Sequence, residues 1–314
     1  MNQDQNAAGA AVPAEQSPWS GADVSASVSE RVRRAEVLIE ALPYIRRFSG
    51  HVMVIKLGGA VDAADGDVDS VLRDVVLLRF VGMRPVLVHG GGAEISAWQE
   101  RIGIAPRFVN GLRVTDAPTM EIVKMVLTGK VGPDLVMRIN RLGGSAIGIS
   151  GEDGPTLLVR PRAPEGGADL GFVGDVETVN VDPLQAILDQ GRIPVVASIG
   201  LGYDGQTYNV NADSVAAEVA VALRATKLIL LTDVDGVRDG SGSLLSELDS
   251  GTAKRLVDDG VIVRGMIPKV RAAMRAASAG AAAHIIDGRV PHSLLLELLT
   301  ERGVGTMVAA GERA

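Results

Sequence analysis

The chain has 314 residues, 46% of them hydrophobic and 3% aromatic, a net charge of −7 and no cysteine. These values exclude a disulfide framework, a thiolate nucleophile, a thiolate metal site and nucleic-acid binding through a basic face. No apolar run approaches bilayer length and the first ten residues lack a basic start, so no membrane partner is expected and the cytoplasm is the expected compartment.

Residues 1–27 are rich in Ala, Ser, Gln, Gly and Pro without an apolar pattern, and read as a disordered tail. From Val28 the pattern turns helical: Val32, Ala35, Ile39, Leu42 and Ile45 recur at helical spacing, Ser27 and Glu30 fit a capping box, and Pro43 should kink or end the helix. Strands then alternate with amphipathic runs. The strand candidates are His51–Lys56, Arg84–His89, Ser145–Ser150, Ile193–Ser198, Lys227–Thr232 and Ala282–Ile286. The helical runs are Val68–Val81, Thr119–Leu142, Asp182–Gln190, Ser214–Leu223 and Pro268–Ala279. This alternation predicts an α/β fold around a largely parallel sheet, with 161–169 as an excursion or hairpin loop.

Ligands of such sheets bind beyond the carboxyl ends of the strands. The first strand ends in Lys56-Leu57-Gly58-Gly59 and the second in His89-Gly90-Gly91-Gly92, with a helical run after it. Such turns bring backbone N–H groups close to an anion, and a helix N-terminus adds its dipole; each cluster alone also fits an ordinary tight turn. No Walker lysine is present, since Thr128-Gly129-Lys130 is followed by Val131. Gly200-x-Gly202-x-x-Gly205 matches a dinucleotide fingerprint in letters only, because the residues after it read as extended. The run from Asp233 to Val237 fails as a calcium loop, with its glycine too early.

Asp213 begins a helical run and fits either an N-cap or a carboxylate that orients lysines. Lys269 falls in a first helical turn, where the dipole opposes it, so an anion nearby or full solvation must account for it. Arg113 has the fork that binds a carboxylate bidentately, or a surface acid. His89 at a strand end reads as a hydrogen-bonded structural histidine before it reads as a base.

The motifs KLGG, VHGGG, NGLRVTD, MVLTGKV, GISGEDG, GQTYNVNAD, LTDVDGV, GMIPKV and HIIDGRVPHSLLLELLTERGVGTM occur in that order from about Val28 to Val308. Together they resemble the amino-acid kinase family, and within it the branch that phosphorylates N-acetyl-L-glutamate. The resemblance implies a three-layer αβα sandwich in two lobes, 51–225 for the amino acid and 226–314 for ATP, with residues 28–50 as a helix for oligomerisation. It implies ATP with Mg²⁺ as phosphoryl donor, no protein metal site, and Lys56, Asp213 and Lys269 as catalytic residues. Gly91, Gly92, Arg113 and Asn209 would bind the substrate; Gly58, Gly59, Asp233, Val234, Gly236, Arg238 and Ile262 would bind phosphates and ATP. The LPYIRRF ending of the first helix resembles that of arginine-inhibited hexameric members. This implies a homohexamer, a trimer of dimers, inhibited by L-arginine at Tyr44, His292, Glu297 and Gly303, or else a helix that only covers a sheet edge. The resemblance also admits regulation by a PII-type signalling protein.

The chain departs from many members at Ala60-Val61 and Ala93-Glu94, which bears on substrate fit. Sister kinases acting on α-aminoadipate or glutamate held by a carrier protein usually carry a different arginine loop. A non-catalytic arginine sensor would be expected to have lost Lys56, Asp213 or Lys269, and all three are present.

Overall fold

The computed structural model describes residues 28–59, 65–164, 167–263 and 265–309. The proposed tail, the capping-box Ser27 and the Ala60-Val61 departure lie outside them. The chain divides into two units, one up to Leu42 and one from Pro43. Helix α1, Val28–Phe48, enters both and runs through Pro43 instead of ending there. In the first unit Val32, Val37, Leu38, Ile39 and Leu42 are exposed. In the second, Tyr44 and Phe48 pack into the core, which fixes the helix beyond the proline.

The second unit is built on a sheet of eight strands among the described residues. In chain order its strands and helices begin β1 (Val52–Leu57), α2 (Asp65–Phe80), β2 (Arg84–His89) and α3 (Gly92–Arg101). A hairpin of β3 (Phe108–Val109) and β4 (Leu112–Arg113) follows, then α4 (Ala117–Val126), α5 (Gly132–Arg141) and β5 (Ala146–Ser150). Strands β6 (Leu157–Pro161) and β7 (Val173–Val179) precede α6 (Asp182–Asp189), β8 (Ile193–Ala197), β9 (Ile199–Gly202), β10 (Thr207–Val210) and α7 (Ala212–Ala222). The chain closes with β11 (Lys227–Thr232), β12 (Glu247–Asp249), α8 (Ser250–Asp258), α9 (Met266–Ser278), β13 (Ala282–Asp287), α10 (Ser293–Leu299) and β14 (Thr306–Ala309).

The sheet order is β12-β14-β13-β11-β1-β2-β8-β5, parallel except for the β13–β14 pair. Alternate strand residues enter two separate cores: Met53, Ile55 and Leu57 meet α2, α4 and α5 on one face, and Val54 meets α7 and α9 on the other. Burial on both faces is why these strands read as continuous apolar runs, and it gives the three expected layers. Strands β6, β7, β9 and β10 close into a small barrel, and β10 carries Asn209.

The main predicted strands agree to within a residue at each end. The run read as one helix, Thr119–Leu142, is instead two helices joined by a π turn at Leu127–Val131. Gly132 just after this turn lies against the His89 ring, where a Cβ would come 3.2 Å from Nε2. The 200–205 glycine run is the β9–β10 hairpin, and its dinucleotide match is accidental. No helix among the described residues is long and apolar enough to cross a membrane.

Candidate active site

The carboxyl ends of β1 and β2 open onto a cavity of about 270 Å³. Lys56, the penultimate residue of β1, lines it, and the side chain is nearly buried. Its Nζ lies 2.8 Å from Asp213 Oδ1, and Lys269 Nζ approaches the other oxygen at 3.3 Å. Asp213 does not cap its helix: Asn211 does, accepting from the Ser214 N–H, and the aspartate is thereby left for the lysines. Burial alone would raise the Asp213 pKa, yet Lys56 and Lys269 together hold it below the usual carboxylate range. The same contact answers the dipole that opposes Lys269 in the first turns of α9, which begins at Met266 and not at Pro268.

Gly91 and Gly92 line the cavity at the start of α3, where Gly91 is the N-cap without a side chain to close the helix end. Free first-turn N–H groups and the helix dipole favour an anion there. Gly59 also lines the cavity, and a Cβ on Gly59 or Gly92 would meet nothing within 4 Å. Gly58 serves packing: a Cβ would fall 2.5 Å from the Leu231 carbonyl oxygen of the neighbouring strand.

The same cavity is lined by Arg113 and Asn209. A two-residue turn with positive φ at Asn110 (49°) and Gly111 (83°) sets Phe108 opposite Arg113. The Phe108 ring lies 4.7 Å from the guanidinium carbon. Asn209 Nδ2 donates to Thr115 Oγ1 at 3.2 Å, and that hydroxyl donates to the Arg113 carbonyl at 2.9 Å, so one buried threonine ties the two together. Burial pushes the Arg113 guanidinium pKa down, and among the described residues no carboxylate partners it. A buried cation without a counter-ion is costly, and a carboxylate ligand would offset that cost.

A second cavity, about 550 Å³, is lined by Asp233, Val234, Gly236, Arg238 and Ile262, all of the nucleotide candidates beyond the first loop. It also includes Asp287 and Arg289, which sequence reading missed; the guanidinium holds the Asp287 carboxylate below its ordinary range. Val234 and Val263 expose apolar surface in this cavity, suited to a base.

Tyr44, Glu297 and Gly303 meet in a third cavity of about 320 Å³. His292 does not join them. It sits in a left-handed conformation before α10, with Nδ1 2.6 Å from the buried Asp74. The histidine in that cavity is His284, whose Nδ1 lies 2.6 Å from Glu297 Oε1 and whose Nε2 lies 3.1 Å from Lys227 Nζ. An ammonium only donates, which puts the His284 proton on Nδ1 when the ring is neutral. Burial alone would raise the Glu297 pKa; His284, the Val304 N–H and Lys227 bring it below the ordinary value. His284 was missed because it interrupts an apolar strand, where a lone histidine carries no local signal.

His89 is fully buried, with Nδ1–H donating to the Gly90 carbonyl at 2.9 Å; burial pushes its pKa down to about 4. It is a neutral structural ring at neutral pH.

The parallel sheet, the helices on both faces and the lysine–aspartate–lysine cluster at the strand ends define a doubly wound α/β protein with a cationic cleft at the carboxyl ends of its strands. The amino acid kinase family profile matches residues 51–287, and the chain belongs to that family. It is 49% identical over 289 residues to the curated acetylglutamate kinase of a Synechococcus species, covering 91% of this chain and 94% of that one. Among solved structures, N-acetylglutamate synthase from Neisseria gonorrhoeae complexed with coenzyme A and N-acetyl-glutamate matches with a TM-score of 0.76 and 29% identity. The match covers 89% of this chain and 64% of the synthase. The same synthase with coenzyme A and L-arginine matches with a TM-score of 0.75 and 28% identity, covering 88% of this chain and 65% of that one.

Proposed function

We propose that this protein transfers the γ-phosphoryl group of ATP to the γ-carboxylate of N-acetyl-L-glutamate, giving an acyl phosphate and ADP. One observation carries the reading: a single cavity holds Lys56, Asp213 and Lys269 together with Asn209 and with Arg113, which has no carboxylate partner among the described residues. The name of the Synechococcus relative and the ligand of the gonococcal synthase support the choice of acid.

The chemistry needs no general base. A glutamate side chain has a pKa of about 4.3, so the attacking carboxylate is ionised at neutral pH. Catalysis then rests on alignment and on neutralising charge that spreads over the phosphoryl oxygens. Lys56 and Lys269 supply positive charge from two sides, and Asp213 fixes both ammonium groups. The N–H groups around Gly59, Gly91 and Gly92 face the anions, while Arg113 and Asn209 hold the substrate. Residues 51–225 form the amino-acid lobe and 226–314 the nucleotide lobe. Among the described residues no group of three or more Asp, Glu or His is placed to hold a metal ion. Mg²⁺ carried on the nucleotide phosphates would supply further charge neutralisation.

L-Arginine is the proposed inhibitor, bound in the cavity of Tyr44, Lys227, Glu297 and Gly303. Glu297 and Glu301 offer carboxylates for a guanidinium, and Lys227 a cation for a carboxylate. The arginine complex of the gonococcal synthase supports this choice. The exposed apolar residues of α1 fit the proposed homohexamer.

The test is an ADP-release assay with MgATP and N-acetyl-L-glutamate, L-glutamate, N-acetyl-L-aspartate or L-aspartate. Turnover mainly with N-acetyl-L-glutamate is expected. A folded, ATP-binding protein that turns over none of them would remove the substrate assignment.

A further inference from the structure

Arg113 is held by Gln99 and Ser96, which do not line the cavity, and by the carbonyl of Gly92, which does. Its Nη1 donates to Gln99 Oε1, and its Nη2 donates to the Gly92 carbonyl at 2.7 Å and to Ser96 Oγ at 2.8 Å. Gln99 is 1% exposed, and its Nε2 donates to Thr119 Oγ1 at 3.1 Å. Thr119 is 2% exposed, and its own N–H is fixed by the Asp116 cap of α4 at 3.1 Å. The amide therefore has one orientation: turned over, its NH₂ would face a guanidinium, donor against donor.

We infer that Gln99 is a positioning residue for Arg113, acting through a brace that runs from Thr119 through Gln99 to the guanidinium. Gln99 and Ser96 project from α3, the helix whose first residues line the cavity, so the brace couples the arginine to the anion-binding helix end. It leaves Arg113 Nε–H and one Nη1–H uncommitted, on different edges of the guanidinium, so a ligand carboxylate would take a single hydrogen bond from either. The inference rests on the reading of Arg113 as the anchor of the acid substrate. Without Gln99 the guanidinium is fixed through Nη2 alone and loses its set direction. Binding of the acid then weakens, while Lys56 and Lys269, which the brace does not contact, are untouched.

The test is steady-state kinetics of Gln99→Met, which fills similar volume without the hydrogen bonds. The KM for N-acetyl-L-glutamate is expected to rise roughly 10-fold, with kcat and the KM for MgATP within about twofold of native. Thr119→Val should move the same KM in the same direction by less. The double variant should match Gln99→Met alone, because one brace can be broken only once. An unchanged KM in Gln99→Met, or kcat and both KM values shifting together, overturns the positioning role. A native protein that does not turn over N-acetyl-L-glutamate overturns the substrate reading itself, and the brace falls with it.

Discussion

Lys56 Nζ stands 2.8 Å from Asp213 Oδ1, and this ion pair joins the end of the first strand to the first turn of α7 with almost no exposure to water. A buried ion pair contributes little net stability, because desolvation offsets much of the attraction. Its effect here is geometric: it fixes an ammonium group at the strand ends, and the second carboxylate oxygen fixes another on Lys269.

Lys56→Arg keeps a cation beside Asp213 but moves the charge. Its kcat should fall by roughly 100-fold, the cost of misplacing one preorganised donor, with folding stability within about 1 kcal/mol of native. Asp213→Asn leaves two lysines without their shared counter-ion. It should lose a similar factor in kcat and also about 3 kcal/mol of stability in urea denaturation. An Asp213→Asn protein as active as native would remove the cluster from the mechanism.

Gly59→Ala and Gly92→Ala distinguish ligand space from packing space. The added methyl meets no protein atom within 4 Å at either position, so thermal stability should be unchanged. If the phosphates occupy that space, turnover falls at least roughly 10-fold at unchanged stability. Gly58→Ala meets the Leu231 carbonyl and should lose stability first. Full activity in both Gly59→Ala and Gly92→Ala would place the phosphates elsewhere.

His89 makes stability depend on pH. Its folded-state pKa, about 4, lies below the ordinary 6.5, so between those values the unfolded chain binds more protons. The contribution is complete above pH 6.5 and is lost as pH falls towards 4, a change of about 3 kcal/mol. Denaturation midpoints measured from pH 7 to 4 should fall in the native protein, and less steeply in His89→Gln. Equal slopes would show that His89 does not titrate on unfolding.

Gly303→Ala tests the third cavity. Its Cβ would fall 2.6 Å from both carboxylate oxygens of Glu297, which must move or the loop must shift. If L-arginine inhibits from this cavity, as proposed, its inhibition should weaken by roughly 10-fold or more, an effect of about one charge-assisted hydrogen bond, while kcat without arginine stays native. Unchanged arginine sensitivity would show that the inhibitor binds at another place.

The amino-acid sequence by itself determined the alternation of apolar strands with amphipathic helices, the glycine turns at the strand ends, and the order of motifs that marks the family. These are legible because strand burial, turn geometry and helix periodicity are local properties of a few consecutive residues. Asn110-Gly111 also carried a readable signal for the hairpin that places Arg113. The tertiary structure alone decided that Asn211 caps α7 and frees Asp213 for two lysines, since neither lysine is near the helix in sequence. It also decided that His284 and not His292 faces Glu297, and that Gln99 lies behind Arg113. Those relationships depend on which side chains the packed sheet and helices bring into hydrogen-bonding contact with one another. Long-range proximity leaves no trace in the residues on either side.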